Sequence, residues 1–299
     1  MSLSPLERRK NKMGIMGKDT NQSVSDGSIA LQAGGDIQIT TGLSAADVVQ
    51  LFDVLFQNQF PRIQEIAKEQ AISNRRELEA LVINDLHKNS EKIIIDKFKD
   101  PDVQALLNDA LISAARKGIK AHPDLLSKLI VEKVSGGNSD LAEIILTEAV
   151  SVVPKLTKSQ VSLICAVFVL NDVHLSTTMG DTLYALESFH NKLEHYLGSD
   201  FDLSGANLKH ISYTGACIYN DFMGREIVDG YLHKYAYFGA GNAEEAKKKL
   251  GFIAPAILRF LNKINAPQIG GVNLTGVGHA IAITALKEIA PFDYGQWLK

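Results

Sequence analysis

The chain has 299 residues, a formal net charge of −3, 45% hydrophobic residues and 22% charged residues. This length predicts about two domains with a sizeable core. Near-neutrality is not typical of a dedicated nucleic-acid-binding protein, and no apolar run reaches the roughly 18 residues of a membrane helix. Two cysteines, Cys165 and Cys217, make neither a disulfide framework nor a zinc ribbon. We therefore expect a cytoplasmic globular protein with no cofactor, no nucleic-acid partner and no stable membrane insertion.

The first 41 residues divide into two segments of different character. Residues 1–20 are basic and lack apolar periodicity, so we expect a disordered leader. Residues 21–41 alternate apolar and polar side chains twice, which is the period of a half-buried β-strand. Residues 26–33 align with residues 34–41 as an eight-residue pseudo-repeat, in which a glycine precedes two alternating apolar residues.

This pseudo-repeat favours either a hairpin that turns at Gly34-Gly35 or a stacked parallel arch. Two strands alone are marginal in water, and both of their edges would present unpaired backbone groups. Pairing with the same segment of another copy would satisfy those edges. We therefore interpret residues 21–41 as a β assembly tract. The residues expected to form it are Ile29, Leu31, Gln32, Gly34, Gly35, Ile37 and Ile39.

Long amphipathic helices are predicted directly after the β tract. Ser44 is a suitable N-cap, and from Val48 onward apolar residues recur at spacings of three and four for more than forty residues. Pro61 lies inside this pattern, so the segment is either two helices or one kinked helix. We assign residues 42–153 to a helical domain that contains these long helices.

Proline, glycine and capping residues delimit the later helices. A capping box at residues 157–160 opens a segment, 161–170, that is apolar on nearly all sides and is therefore predicted to be buried centrally. Residues 211–213 and 217–219 flank Gly215 and predict a short hairpin. We place a boundary near residue 154 and expect 154–299 to be a compact, mostly helical C-terminal domain. The other predicted helices cover residues 100–118, 123–136, 139–154, 181–196, 242–250, 255–265 and 277–290.

The spacing of Glu187, His190 and Glu194 is the most ligand-like in the chain, with His195 beyond. Glu-x-x-His is the unit of carboxylate-bridged metal bundles, but those proteins need two such units and the chain has one. A solvated helix face with charge pairs explains the spacing better, so we predict no metal site. Both cysteines lie among apolar neighbours, which is typical of small core residues. We assign no catalytic residue.

A glycine-rich stretch, 269–279, leads into the last predicted helix. Backbone N–H groups at such a junction can hold an anion, although the stretch lacks a phosphate-loop motif and also suits a tight turn or hinge. If the protein binds a small ligand, we expect the site here or at residues 172–181. The candidate residues of the loop are Gly270, Gly271, Gly276, Gly278 and His279.

Four short motifs carry a resemblance to a known family. The run 32–37, QAGGDI, precedes a Gly-Leu-Ser start to the long helix at 42–44, and 154–160 and 213–215 supply later landmarks. Over most of residues 21–299 the chain resembles an uncharacterised bacterial family known by locus labels. The resemblance implies a bacterial cytosolic protein and assigns no catalytic residues. Tracts similar to QAGGDI also occur on bacterial conflict and signalling proteins, which suggests antiphage or stress signalling.

These observations favour a mainly α protein: a short N-terminal two-strand β tract, long amphipathic helices, and then a compact helical C-terminal domain. The favoured function is homotypic oligomerisation, not enzymatic, with the chain itself as partner. The alternative is an enzyme or a small-ligand-binding protein with its site in the C-terminal half. A third interpretation, a membrane-active effector that exposes 161–170, is weaker because ten residues cannot span a bilayer.

Overall fold

The computed structural model describes residues 46–47, 49–50, 60–174, 179–198, 201–224, 227–235, 243–292 and 294. The predicted leader and the β assembly tract, with all of its candidate residues, lie outside this range. The chain divides into two units, residues 1–60 and residues 61–299. The boundary that we predict near residue 154 stays a prediction.

Helices dominate the described residues, which confirms the mainly α fold class. Most begin and end within a few residues of the predicted limits, because proline, glycine and capping side chains act locally. None of the described helices is both long and apolar enough to cross a bilayer. The helices are α1 (Phe60–Lys88), α2 (Pro101–Lys117), α3 (Pro123–Val134), α4 (Asp140–Val152), α5 (Lys158–Asn171), α6 (Met179–Leu197), α7 (Gly205–Tyr213), α8 (Ile227–Lys234), α9 (Ala243–Ile253), α10 (Pro255–Ile264) and α11 (Gly276–Leu286).

The start of α5 confirms the predicted capping box. Thr157 Oγ1 accepts a hydrogen bond from Gln160 N at 3.2 Å, and Gln160 Oε1 accepts one from Thr157 N at 2.9 Å. Two backbone donors that the first turn would leave unpaired are thereby satisfied. All residues from Val161 to Leu170 are buried, as the unbroken apolar run predicts.

The predicted hairpin around Gly215 is wrong. Residues 211–213 are the last turn of α7, whose N-cap Ser204 accepts a hydrogen bond from Asn207 N. Strand β1 (Cys217–Tyr219) instead pairs antiparallel with β2 (Val272–Leu274), with Cys217 opposite Leu274. Residues 211–213 include a β-branched and an aromatic side chain, which are common in strands. In the capped helix, however, more of their backbone groups are hydrogen-bonded. The partner of β1 lies much later in the chain, where local pattern reasoning does not reach.

Helix α11 lies in the core and packs against α3, α4 and α5. Its residues Ala280–Leu286 are buried on every side, as expected for a short apolar helix surrounded by other helices. Close packing is assisted by small residues at its start. A Cβ added at Gly278 would lie 2.1 Å from Ala216 O, so no larger residue fits where α11 crosses the chain before β1. The contacts of α11 with α5 also place the start of α11 close to the end of α5.

Candidate functional site

The two regions that the sequence offers as ligand sites meet in the structure. Asp172 follows the last residue of α5, and His279 lies in the first turn of α11. His279 Nε2 is 3.3 Å from Asp172 Oδ2, and His279 Nδ1 is 2.8 Å from Thr275 O. Both ring nitrogens therefore face acceptors, and an imidazole can donate to both only when it carries both protons.

This geometry controls the protonation of His279. Burial is the largest single influence and opposes the charged form, since the side chain is only 18% exposed. The hydrogen bonds to Asp172 and Thr275 O, with the negative charge of Asp172, together outweigh burial and raise the pKa of His279 above its ordinary value. When His279 is protonated, the two side chains form an ion pair between the end of α5 and the start of α11.

The glycines of the 269–279 loop allow close backbone approaches. A Cβ at Gly271 would lie 2.1 Å from Asn220 O, and one at Gly276 would lie 2.7 Å from Ile145 Cδ1. Gly270 and Gly271 end a short 3-10 helix, and Gly278 N donates to the N-cap hydroxyl of Thr275. Packing therefore accounts for Gly271, Gly276 and Gly278. The anion-binding role of Gly270, Gly271, Gly276, Gly278 and His279 stays a prediction.

A cavity of about 500 Å³ opens beside this junction, between the end of α5, helix α8 and strand β2. Such a volume is typical of small-molecule sites. Among the described residues of its lining, one carries a charge, Lys234. Lys234 Nζ donates to Leu170 O at 3.2 Å, near the carbonyl end of α5, where a cation is favourable. The lining residues are Leu170, Asn171, Ile227, Gly230, Tyr231, Lys234 and Asn273.

Tyr231 forms a fixed wall of this cavity because a buried histidine holds its hydroxyl. His190 Nδ1 is 2.7 Å from Leu186 O, a carbonyl that can only accept, so Nδ1 carries the proton and Nε2 accepts from Tyr231 Oη at 3.1 Å. His190 has no exposed surface. Burial lowers the pKa of His190 to about 4, against a smaller opposing effect of the hydrogen bond to Leu186. The imidazole is therefore neutral.

The acidic residues near His190 hold other helices in place. Glu187 accepts hydrogen bonds from Ala256 N at 2.9 Å and Ile257 N at 3.3 Å, which caps the start of α10. Glu194 accepts from Arg259 Nε at 2.9 Å. In the described part of the chain no group of three or more His, Cys, Asp or Glu residues could hold a metal ion. The Glu-x-x-His spacing is thus explained by helix capping and a buried hydrogen bond. The predicted solvated helix face is wrong at His190, which is fully buried.

Both cysteines are buried free thiols. Burial raises the pKa of Cys165 to about 12 and also that of Cys217 to about 12. A nucleophilic cysteine needs a thiolate near neutral pH. The two side chains therefore act as small apolar residues of the core.

Helix α1 presents a second surface of interest, here named the α1 stripe: Ile63, Ile66, Ala67, Ala71 and Leu78. These residues share one face of the helix at 100° per residue. Leu78 is fully buried, whereas Ile63 and Ile66 are 46% and 57% exposed. Asn74 Nδ2, on the same face, donates to Ala115 O at 3.1 Å. The face that docks on α2 thus continues as exposed apolar surface toward the start of α1.

A model of a protein family matches residues 42–242, about two thirds of the chain. The chain belongs to this family. Its description is a "-like" label that names no activity, which is consistent with an uncharacterised family. The QAGGDI run at 32–37 lies outside the matched residues, so the motifs of the resemblance stay a prediction. No curated protein and no solved structure matches the chain.

Sequence reasoning named none of the cavity residues individually, although Asn273 lies within the predicted stretch 269–279. Asn171, Lys234 and Asn273 come from three separate segments and carry no shared spacing. The one local signal is Gly230 inside α8, because a glycine in a helix interior usually has a reason. A Cβ at that position would meet nothing within 4 Å, so packing is not the reason.

Proposed function

We propose that this protein self-associates through the α1 stripe, with a second copy of the chain as its partner. The observation that carries the proposal is the exposure of Ile63 and Ile66 on the face that buries Leu78. An amphipathic helix gains stability when its apolar stripe is covered along its whole length. Full burial of an isoleucine side chain contributes about 1.5–3 kcal/mol, and roughly half of this is still available at these two positions.

The docked half of α1 supports a fixed orientation of the stripe. Besides Leu78, Asp85 Oδ2 accepts a hydrogen bond from Ser127 Oγ at 2.7 Å, and Ser127 is fully buried. Asn74 is hydrogen-bonded to α2 on the same face. These contacts fix the orientation of α1 without covering Ile63 or Ile66. The exposed half of the stripe is therefore preorganised, which lowers the entropic cost of binding a partner.

The charge of α1 favours a second copy as that partner. The helix carries five basic and five acidic residues, so two copies do not repel each other. A partner of strong single charge would find no complementary surface here. The sequence also predicts that the same apolar spacing begins at Val48, which would lengthen a helix–helix interface.

The proposal also assigns a role in self-association to the N-terminal β tract, and a cytoplasmic setting to the protein. Edge pairing of residues 21–41 between copies would reinforce the helical contact. Two unpaired thiols are typical of reducing compartments, which supports a cytoplasmic location. The resemblance to tracts on bacterial conflict proteins motivates a role in antiphage or stress signalling. Self-association is the property through which such a role would be exerted.

Paired charge substitutions on opposite faces of α1 test the proposal. Ile63→Asp places a carboxylate on the stripe, whereas Ile72→Asp places one about half a turn away at a side chain that is 37% exposed. We expect the wild-type mass to exceed the monomer mass of 32.6 kDa in light scattering. Ile63→Asp should lower the mass, Ile72→Asp should leave it unchanged, and Ile37→Asp in the full chain tests the β tract.

Two results would contradict the stripe interface. One is a wild-type protein that stays at the monomer mass over the whole accessible concentration range. The other is an equal loss of mass in Ile63→Asp and Ile72→Asp, because a general effect on α1 would then explain both. Circular dichroism of each variant confirms that the helical core is retained.

A further inference from the structure

We infer that the exposed end of the α1 stripe of one copy docks into a groove between α1 and α2 of the next copy, so that self-association runs head to tail. The inference rests on the proposed function, since it names the surface that receives the stripe. This surface is here named the α1–α2 groove. The aliphatic residues that line it are Leu78, Val82, Ile83, Leu107, Leu111 and Ile130.

The α1–α2 groove offers a partner an open, apolar surface. Its floor, Leu78 and Ile130, is buried, but the three other leucine and valine side chains are only partly buried and Ile83 is 57% exposed. Exposed aliphatic surface gains free energy when a partner covers it. Among the described lining residues one is charged, Glu79, and its carboxylate pairs with Arg75 Nε at 3.1 Å. The rim therefore does not carry an uncompensated charge at Glu79.

The size of the groove is suited to an isoleucine side chain. Its volume is about 180 Å³, and a cavity of about 150 Å³ lined by apolar side chains holds the six carbons of benzene. The four-carbon side chain of Ile63 or Ile66 therefore fits inside. These two residues lie about one helical turn apart, so one can enter the groove while the other packs on its rim. An exposed aliphatic anchor that fills a pocket is typical of the residues that dominate binding energy.

A chain cannot fill its own groove with its own stripe. Ile66 and Leu78 both belong to α1, and the residues between them span about 18 Å of helix axis. Ile63 also lies about 160° around the helix from Glu79, at 100° per residue. The stripe and the groove of one copy are thus held apart by the same helix. The stripe that enters a groove therefore comes from a second copy.

This arrangement predicts assembly beyond a dimer. Because the stripe and the groove face nearly opposite sides of α1, two copies that form one contact leave a stripe at one end and a groove at the other. A contact between two different surfaces of the same chain either closes into a ring or continues as an open assembly. The wild-type mass should therefore rise with concentration past twice the monomer mass of 32.6 kDa.

Two variants and their mixture test the inference on the full chain. Ile63→Asp disables the stripe, and Ile83→Asp disables the wall of the groove. In light scattering we expect each variant alone to fall to the monomer mass. An equimolar mixture should form a dimer, because the intact groove of the first variant receives the intact stripe of the second. The dimer should not grow further, since its remaining stripe and groove are both disabled.

Two further variants serve as controls. Ile144→Asp is the matched control, because Ile144 is an isoleucine of α4 that is 61% exposed and belongs to neither surface. It should keep the wild-type mass. Ile83→Ala keeps the test decisive if Ile83→Asp fails to fold, since it removes most of that side chain without adding a charge. We expect it to raise the dissociation constant about tenfold. Circular dichroism of each variant reports whether the helices are retained.

The outcomes separate this inference from the proposed function. If Ile63→Asp lowers the mass and the Ile83 variants do not, the stripe binds another surface, so the inference is overturned while self-association stands. A mixture of Ile63→Asp and Ile83→Asp that stays at the monomer mass also overturns the inference. If Ile63→Asp has the same mass as the wild type, the stripe interface and the inference fail together.

Discussion

His279 couples the protonation of one side chain to the junction of two helices. Its ring nitrogens face Asp172 Oδ2 and Thr275 O, and the ring of Phe168 packs edge-on against it with centroids 5.8 Å apart. The folded state therefore favours the imidazolium, with a pKa above the ordinary value of 6.5. A group whose pKa is raised by folding stabilises the folded state most when it is protonated in both states.

This linkage predicts that stability falls as the pH rises above about 6.5. The contribution of the pair is fully present below about pH 6.5 and is lost as the pH rises through the raised pKa of His279. Asp172→Asn removes the charge partner, so we expect the variant to lose this part of the pH dependence. The measurement is the free energy of unfolding in urea from mildly acidic to alkaline pH.

Asp221→Asn provides the control for that experiment, since Asp221 pairs with Lys209 at 3.0 Å on the surface and does not contact His279. Its pH dependence should match that of the wild type. If Asp172→Asn matches the wild type as well, the ion pair does not govern stability in this pH range.

The pKa of His190 is lowered rather than raised, and the cause is burial. It is completely buried, its partners are one carbonyl and one hydroxyl, and burial lowers its pKa to about 4. The sequence placed Glu187 and His190 on one helix at ligand-like spacing. Whether a histidine is a ligand, an ion or a neutral core residue depends on its burial, which spacing alone does not report.

Among the secondary-structure elements, α10 depends on a cap from another helix. Pro255 begins α10, so the first N–H groups that need a partner belong to Ala256 and Ile257. Glu187 of α6 accepts from both. A carboxylate at a helix N-terminus satisfies these donors and also interacts favourably with the helix dipole.

Removing this cap should destabilise the protein. We expect Glu187→Ala to lower the free energy of unfolding by about 1–2 kcal/mol, and Glu187→Gln by less, since an amide oxygen still accepts a hydrogen bond. Denaturant unfolding measures both values. Glu148→Ala, at an exposed position of α4, is the control and should change stability by less than about 0.5 kcal/mol. Equal effects of Glu187→Ala and Glu148→Ala would contradict the capping role.

The long helix α1 illustrates how much an amphipathic pattern can predict. Its apolar spacing identified a helix with a continuous stripe, and the structure confirms the helix over Phe60–Lys88. The pattern contains no information on how far a partner covers that stripe. Only the packing reveals that Leu78 is buried while Ile63 and Ile66 remain exposed. Whether Pro61 separates two helices or kinks one stays open, because residues 51–59 lie outside the described range.

At the scale of the whole molecule, one apolar cluster joins the helices. Phe168 of α5 is fully buried and contacts the rings of His279 and Phe292, with the Phe292 centroid 5.4 Å away. Helix α11 packs against α3, α4 and α5, three helices from much earlier in the chain. A substitution that disrupts this cluster should therefore destabilise the whole fold.

Phe168→Ala tests how much the cluster contributes to the free energy of unfolding. We expect a loss of about 3–5 kcal/mol in the free energy of unfolding, because the substitution removes a large buried side chain and leaves a cavity. Phe222→Ala is the matched control. Phe222 is 96% exposed and should change stability by less than about 0.5 kcal/mol. Urea unfolding followed by circular dichroism compares the two, and similar losses would show that the cluster is not the main source of stability.

Local patterns in the sequence were sufficient for most of the helices, the capping box at Thr157 and the central burial of residues 161–170, because caps, prolines and periodicity act over a few residues. They did not predict α7 or α8. The tertiary structure alone decided the pairing of β1 with β2, the cap of α10 by Glu187, the ion pair of Asp172 with His279 and the cavity beside Gly230. Each of these joins segments that are far apart in the chain. Such contacts follow from how helices pack against one another, and packing leaves no periodic signal in a single sequence.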